Sequence, residues 1–498
     1  MTPRPNKISS ILKNEIDKIK LPKFIETNIN TIQTNRKLNS QFREFYDIVV
    51  DIYSKLDIKK IKKKYNRTII FKDDNKCSLI YLFKYLYDNN IIDQYILSKK
   101  VDTKESNEFK SILDNNDLTK CAEWINIRGQ DFMNKMFILI QNETIKRQIL
   151  PESLLHNLNI VDNNLYGEFT PIEVLHEIET LINYKHTFHI TYENLILNLI
   201  VFDYKKNINK KMVHSYINRI LFMGLLKSHS IYKNKEKHEI TLNLTLILTK
   251  KTKKISNEYK TLGAQQINSG ITSYSPLHND FFNITIYRIE ELNKLIIHEL
   301  VHALKFDFIS LSFPDYYNLV NMNTKITPNE SYTEILACML NCILCAYEER
   351  NKKGVVTFRR AIHHLQNEIK YSYFQVAKIL CHFGYENADD FFREYDQSRD
   401  NRFDQTTNVF SYFVIKTSLF CGLKDFYQFF SKYNYMLTLV CDNTLKKDEY
   451  IGIARKSLSS NSFKKIIGWF MKYIQTNLNK QNQITISTLR MTLTELDY

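Results

Sequence analysis

The sequence predicts an α+β protein that is predominantly α, and three observations carry that expectation. The 498 residues include only 10 glycines and 8 prolines, too few turn-formers for a chain built mainly of short strands. Most of the length reads as apolar positions at helical spacing, broken by polar clusters. Between His238 and Arg288 the period changes to alternation, and a strongly apolar helical segment follows from Leu292.

Taken in order, residues 1–150 read as a helical N-terminal region, with apolar-periodic stretches at Ile48 to Leu56 and Leu79 to Tyr87. Between them, Ile58 to Arg67 is basic. This segment reads first as a solvated helix face, and second as a nucleic-acid contact with Tyr65 available to stack. Residues 151–235 continue as helix, with Pro151 and Pro171 marking starts. His186 and His189 have no third metal ligand nearby and read as ordinary histidines. Residues 236–350 form a mixed core. Ile240, Leu242, Leu244, Leu246 and Leu248 alternate with Thr241, Asn243 and Thr245 as a half-buried strand, and Gln265 to Tyr274 and Phe282 to Arg288 read as two more extended stretches. Pro314 and Pro328 punctuate a loop before a second apolar helix. Residues 351–498 read as a helical, aromatic-rich C-terminal lobe.

The formal net charge of +15 is carried largely by lysine. It comes with abundant Asn, Ile, Tyr and Phe, the set an AT-rich genome favours, so a nucleic-acid partner is the weaker reading of that charge. The eight cysteines (Cys77, Cys121, Cys338, Cys342, Cys345, Cys381, Cys421 and Cys441) form no tandem Cys-x-x-Cys pairs, which argues against a disulfide or structural-zinc framework. Cys338, Cys342 and Cys345 fit one packed helix face. The N-terminal residues lack an apolar signal region, and no run of about 18 apolar residues is present to span a membrane. The expected compartment is reducing and cytoplasmic.

The segment Leu292 to Phe306 contains His298-Glu299-Leu-Val-His302. Residues four apart share a helix face, so the two imidazoles can hold one zinc ion, and Glu299 can take a proton from a metal-bound water. His176-Glu177 and His238-Glu239 start the same way but lack the second histidine. The residues around the motif (Leu295, Ile296, Ile297, Leu300, Val301 and Leu304) make the helix apolar on most sides, as in a core. Buried imidazoles and carboxylates then need partners, and a metal would provide one. A catalytic zinc takes three protein ligands and keeps one open position. Glu330, in Asn329-Glu330-Ser-Tyr-Thr333-Glu334, is read as the third ligand. Glu334 is placed to accept the other ring N–H of a ligating histidine and is the fallback ligand.

These two motifs together resemble the gluzincin metallopeptidases, in which a His-Glu-x-x-His helix is followed by one bearing Asn-Glu-x-x-Ser/Thr-Asp/Glu. Asn329, Glu330, Thr333 and Glu334 match the second element. Glu330 stands 28 positions after His302 (330 − 302), a longer gap than is usual in the thermolysin-like members, which implies a larger intervening loop. The block from about 265 to 340, with Asn268-Ser-Gly-Ile-Thr-Ser-Tyr274 and Asn283 to Leu292, also resembles proteins described as zinc metallopeptidases in large cytoplasmic DNA viruses. The resemblance implies a zincin-like core and one Zn2+ per chain. It also implies peptide or protein substrates hydrolysed with Glu299 as general base, in host cytoplasm or virion. An edge strand at Asn268, Ser269, Gly270 and Ile271 would then pair with substrate backbone. An oxyanion donor would come from the C-terminal lobe, where His363, His364, His382 and Tyr371 are available. The competing expectation is a non-catalytic viral structural or nucleic-acid-associated protein that keeps the scaffold.

Overall fold

The computed structural model describes residues 4–56, 60–69, 181–231, 239–255, 261–274, 282–308, 311–313, 316–322, 326–350, 357–395, 403–433, 444–477 and 482–497, with a few isolated positions besides. The sequence features at Leu79 to Tyr87, Pro151, Pro171, His176, His238, Pro314, Cys77, Cys121 and Cys441 lie outside them. The chain is α+β and predominantly α, with one mixed six-stranded sheet among the described residues.

Helices α1 (Lys7–Lys18) and α2 (Arg36–Ser54) open the chain. Each is capped by an asparagine side chain, Asn6 accepting from Ser9 N and Asn35 from Leu38 N, which satisfies an otherwise orphan donor of the first turn. The sheet strands are β1 (Lys62–Ile69), β2 (Tyr184–Tyr192), β3 (Leu195–Asp203), β4 (Ile240–Ile247), β5 (Gly270–Tyr274) and β6 (Phe282–Ile286). Their spatial order is β1-β2-β3-β4-β6-β5. The β3–β4 and β4–β6 pairs are parallel and the others antiparallel. Helix α3 (Lys210–Ile231) makes the crossover between β3 and β4 that a parallel pair requires. One face of the sheet is buried. Phe188, Ile190, Leu197, Leu199, Leu242 and Leu244 point into it from successive strands.

The helical reading of 58–67 and 184–203 is corrected by these strands. In β2 the buried positions fall at His186, Phe188, Ile190 and Tyr192, a period of two that short-range apolar content alone had hidden. Lys62 to Arg67 become a strand only because Thr191 to His186 pair with them, a contact distant in sequence. His186 and His189 consequently face opposite sides of the sheet. His186 Nδ1 lies 2.9 Å from the Tyr65 hydroxyl, and His189 Nδ1 lies 2.7 Å from Asn198 Oδ1. Of the stretch Gln265 to Tyr274, only Gly270–Tyr274 is strand, and Ala264–Ile267 forms a single helical turn.

Helix α4 (Leu292–Ala303) follows β6 directly. Behind it pack α5 (Asn329–Glu348), α6 (Thr357–His382) and, further on, α7 (Asn461–Asn477), all sharing one contiguous hydrophobic core with the sheet. Cys338, Cys342 and Cys345 are buried on α5. Burial, aided by the neighbouring Cys338, pushes the Cys342 thiol well above its ordinary range, so these side chains act as apolar packing. Cys338 and Cys342 do lie near Glu368, but that carboxylate is already saturated. It accepts from Thr492 Oγ1 (2.7 Å), Leu493 N (3.0 Å) and Thr494 N (2.7 Å) of the C-terminal tail. Among the described residues no helix is long and apolar enough to cross a membrane.

The tail therefore depends on one buried carboxylate. Glu368→Ala leaves these donors in the core without an acceptor, at about 1–3 kcal/mol each when unsatisfied. The expected outcome in urea unfolding is a stability loss of about 3 kcal/mol or more. A loss below about 1 kcal/mol would mean that Leu489, Met491 and Leu493 hold the tail without it.

Candidate metal centre

Helix α4 is buried along almost its whole length, including the polar side chains of Asn293, Lys294, His298 and Glu299. Helix α5 starts at Asn329 just after Pro328, so Glu330 sits in its first turn. The two helices bring three donor atoms together. His298 Nε2 and His302 Nε2 are 3.2 Å apart, and Glu330 Oε2 is 3.6 Å from the first and 3.3 Å from the second. Ligands held tetrahedrally at about 2.0–2.1 Å from a zinc ion stand about 3.3 Å apart. The triangle has that size.

Each imidazole has a carboxylate behind it. His298 Nδ1 lies 2.9 Å from Glu334 Oε1, and His302 Nδ1 lies 2.5 Å from Asp307 Oδ2. With both Nδ1 atoms facing carboxylates, both Nε2 atoms are left to converge, the arrangement a metal-ligating histidine adopts. Thr333 Oγ1 donates to Asp307 (2.9 Å), and Glu334 is ion-paired to Lys294, itself buried, with Lys416 at 3.9 Å. Glu330 Oε2 is buried with no donor aligned on it. A carboxylate oxygen so placed between two ring nitrogens fits a shared cation.

The charges of the metal-free site lean on one another. Burial opposes the imidazolium of His302, but the Asp307 and Glu330 carboxylates outweigh it and hold its pKa well above the ordinary value. His298 is raised in the same way, burial again opposing, by Glu330 and Glu334. Burial would raise Glu330, yet His302 and His298 bring it far below the usual carboxylate range. Glu334, likewise buried, is brought well below it by Lys294 and His298.

Glu299 faces the same cleft from α4. Thr272 Oγ1 donates to its Oε2 at 2.7 Å, and its Oε1 packs under β5. A methyl group on Gly270 would lie 2.9 Å from that oxygen and 3.1 Å from Thr285 O, so glycine is needed for this close approach. The cleft has a volume of about 460 Å3 and is also lined by Asn268, Ile271, Lys305, Asn329 and Asn408. Ser269 is buried and offers its carbonyl to Tyr287 N (2.9 Å), so of the four edge positions it is turned into the sheet. Asn329 lines the rim at the start of α5.

Tyr412 lines the cleft opposite, its ring centroid 6.1 Å from that of His298. It sits in a π-helical turn, Phe410–Ile415, a local widening common at functional sites. Burial, reinforced by Glu330, Glu299 and Glu334, holds its pKa well above the ordinary value, so it keeps its proton. The four side chains read from sequence as oxyanion candidates are elsewhere. Tyr371 is fully buried and takes a hydrogen bond from Gln375, His364 pairs with Glu349, His363 lies 3.2 Å from Asn367, and His382 packs on Phe383. Spacing within helix α6 gave no information about which residues the distant 403–412 segment would leave facing α4. Asp307 was also missed, although an acid five residues after His302, just past the helix end, is a usable signal.

Over 205 residues the chain is 27% identical to an uncharacterised protein of Acanthamoeba polyphaga mimivirus. That stretch covers 40% of this chain and 48% of the viral protein, so the chain spans about half the length of the curated relative it matches. No family model matches the chain, and no solved structure does.

Proton competition would set the pH behaviour of metal uptake at this site. The raised His298 and His302 stabilise the metal-free fold below their unfolded value of 6.5, a contribution lost as pH rises through the folded values. The lowered Glu330 contributes above its unfolded 4.5 and loses that as pH falls. Zinc needs unprotonated imidazoles, so its stabilisation of the fold should be larger at about pH 8 than at about pH 6. Thermal unfolding with zinc and with chelator measures this, and an equal shift at both pH values contradicts it. Asp307→Ala should weaken zinc binding about 10- to 100-fold in a chelator competition.

Proposed function

We propose that the chain is a zinc-dependent metallopeptidase of gluzincin type, acting on peptide bonds in a viral setting. The observation that carries the reading is the convergence of His298 Nε2, His302 Nε2 and Glu330 Oε2 at ligand spacing, in a cleft that also presents Glu299 and Tyr412. The mimivirus similarity supports the viral setting.

His298, His302 and Glu330 would hold the metal. When bound, zinc supplies positive charge that polarises a carbonyl and acidifies water. Glu299, fixed by Thr272, accepts a proton from the attacking water as its oxygen bonds to the scissile carbon. The same carboxyl returns that proton to the leaving amine as the C–N bond breaks, which restores the carboxylate. Tyr412, held protonated, donates its O–H to the developing oxyanion. Glu334 and Asp307 keep the two ligand rings turned.

The test compares wild type with three variants. Wild type should carry one zinc per chain by metal analysis, and His298→Ala should lose it. Glu299→Gln should keep zinc while its peptide hydrolysis falls about 10²- to 10⁴-fold. Tyr412→Phe should keep zinc and lose about 10²- to 10³-fold in kcat. Full activity in Glu299→Gln would falsify the mechanism. Zinc-loaded wild type that cleaves no peptide would point to a binding scaffold without catalysis.

A further inference from the structure

The cleft is walled at one end, and the wall comes from the C-terminal lobe. Just before β5 the chain leaves the sheet edge and joins the segment that leads into the π-helical turn of Tyr412. Leu262 N donates to Asp404 O (3.1 Å), and Thr406 N donates to Leu262 O (3.0 Å). The Thr261 hydroxyl pairs with the Asp404 carboxylate. The two segments are so close that a methyl group on Gly263 would lie 2.5 Å from Thr406 Oγ1. At the inner rim Thr407 Oγ1 donates to Asn268 Oδ1 at 2.8 Å, and both residues line the cleft. The cleft floor therefore continues into a cross-linked barrier where the edge strand begins.

Strand spacing gives the room left beside that barrier. Glu299 Oε1 lies under Gly270, and Asn268 is two residues back along the chain. At about 3.3 Å per residue of extended backbone, two positions amount to roughly 7 Å. An extended peptide laid along β5 with its reacting bond over Glu299 therefore meets Asn268 and Thr407 after about two residues. A chain that continued would have to displace the Asn268–Thr407 contact at the rim.

From this we infer that the enzyme is an exopeptidase, cutting within about two residues of one end of a peptide. The inference rests on the peptidase reading above, and its substrates are short or unfolded chains with a free terminus. The side chains at the wall, Asn268, Thr407 and Asn408, are neutral amides and a hydroxyl, which suit either terminus as hydrogen-bond partners. Which terminus is used is an outcome of the test.

The experiment uses zinc-loaded full chain and one peptide sequence in four forms: both ends free, amino end acetylated, carboxyl end amidated, and both ends blocked, with products read by mass spectrometry. The expected result is release of one or two residues from the free-ended peptide and loss of cleavage when one particular end is blocked. Blocking the other end should have little effect. The double variant Asn268→Ala with Thr407→Ala, which loosens the wall, should raise cleavage of the doubly blocked peptide by roughly tenfold. Internal cleavage of the doubly blocked peptide by wild type, at a rate comparable with the free-ended one, overturns the inference while leaving the peptidase reading intact. No cleavage of any form, with zinc bound, overturns both.

Discussion

His298, Glu334 and Asp307 are buried and His302 and Glu330 largely so, and none of them is tolerable there alone. A buried carboxylate or imidazolium without a partner costs several kcal/mol or more, so each must be neutralised by its neighbours or by a cation. The structure does this in two rings. In the inner ring Glu330 stands between the two Nε2 atoms. In the outer ring Asp307 takes the back of His302, and Glu334 takes the back of His298 while Lys294 and Lys416 take the charge of Glu334. Removing an outer member frees an imidazole to turn and so reaches the inner triangle. That dependence makes α4 and α5 one unit, whatever their distance in sequence.

The rest of the fold fixes where that unit starts. Glu291 precedes α4 with a left-handed backbone, φ 62°, a strained conformation for a non-glycine residue. Its carboxylate is clamped by Lys253 (2.8 Å) and by Thr492 N of the tail (2.5 Å). Burial would raise its pKa, but Lys253 and Arg490 more than offset that, so it stays ionised. The strain is thereby held by a charged contact from two distant parts of the chain. Because His298 and His302 follow at fixed helical steps, anchoring the first turn of α4 also sets the height of both imidazoles against Glu330.

What was legible in the sequence follows from the range of the interactions. Helix α4, helix α5 and strands β4 to β6 stand out because their apolar period is written within one short segment, and the candidate ligand positions inherit that periodicity. Strand β1 was not legible. Lys62 to Arg67 are basic and exposed, and only pairing with β2, more than a hundred positions on, makes them a strand. Tyr412 was hidden for the same reason, since nothing local distinguishes it from the neighbouring aromatics until the 403–412 segment is folded against His298. Asp307 falls between these cases, local enough to suspect yet meaningful only once the C-terminal end of α4 is fixed.

The two glutamates that face the cleft from α4 and α5 are like groups in unlike surroundings. Glu330 is flanked by two imidazoles that stabilise its negative charge, and its oxygen completes a triangle with their Nε2 atoms. Glu299 is only one residue from His298, yet its bonded partner is a neutral hydroxyl, Thr272, and among the described residues no cation is paired with it. A carboxylate held by a hydroxyl keeps a fixed direction, and a fixed direction is one condition for the proton transfer proposed for Glu299. Gly270 completes that condition by leaving the space in which Oε1 sits. The roles proposed for the two carboxylates therefore follow from what each one touches.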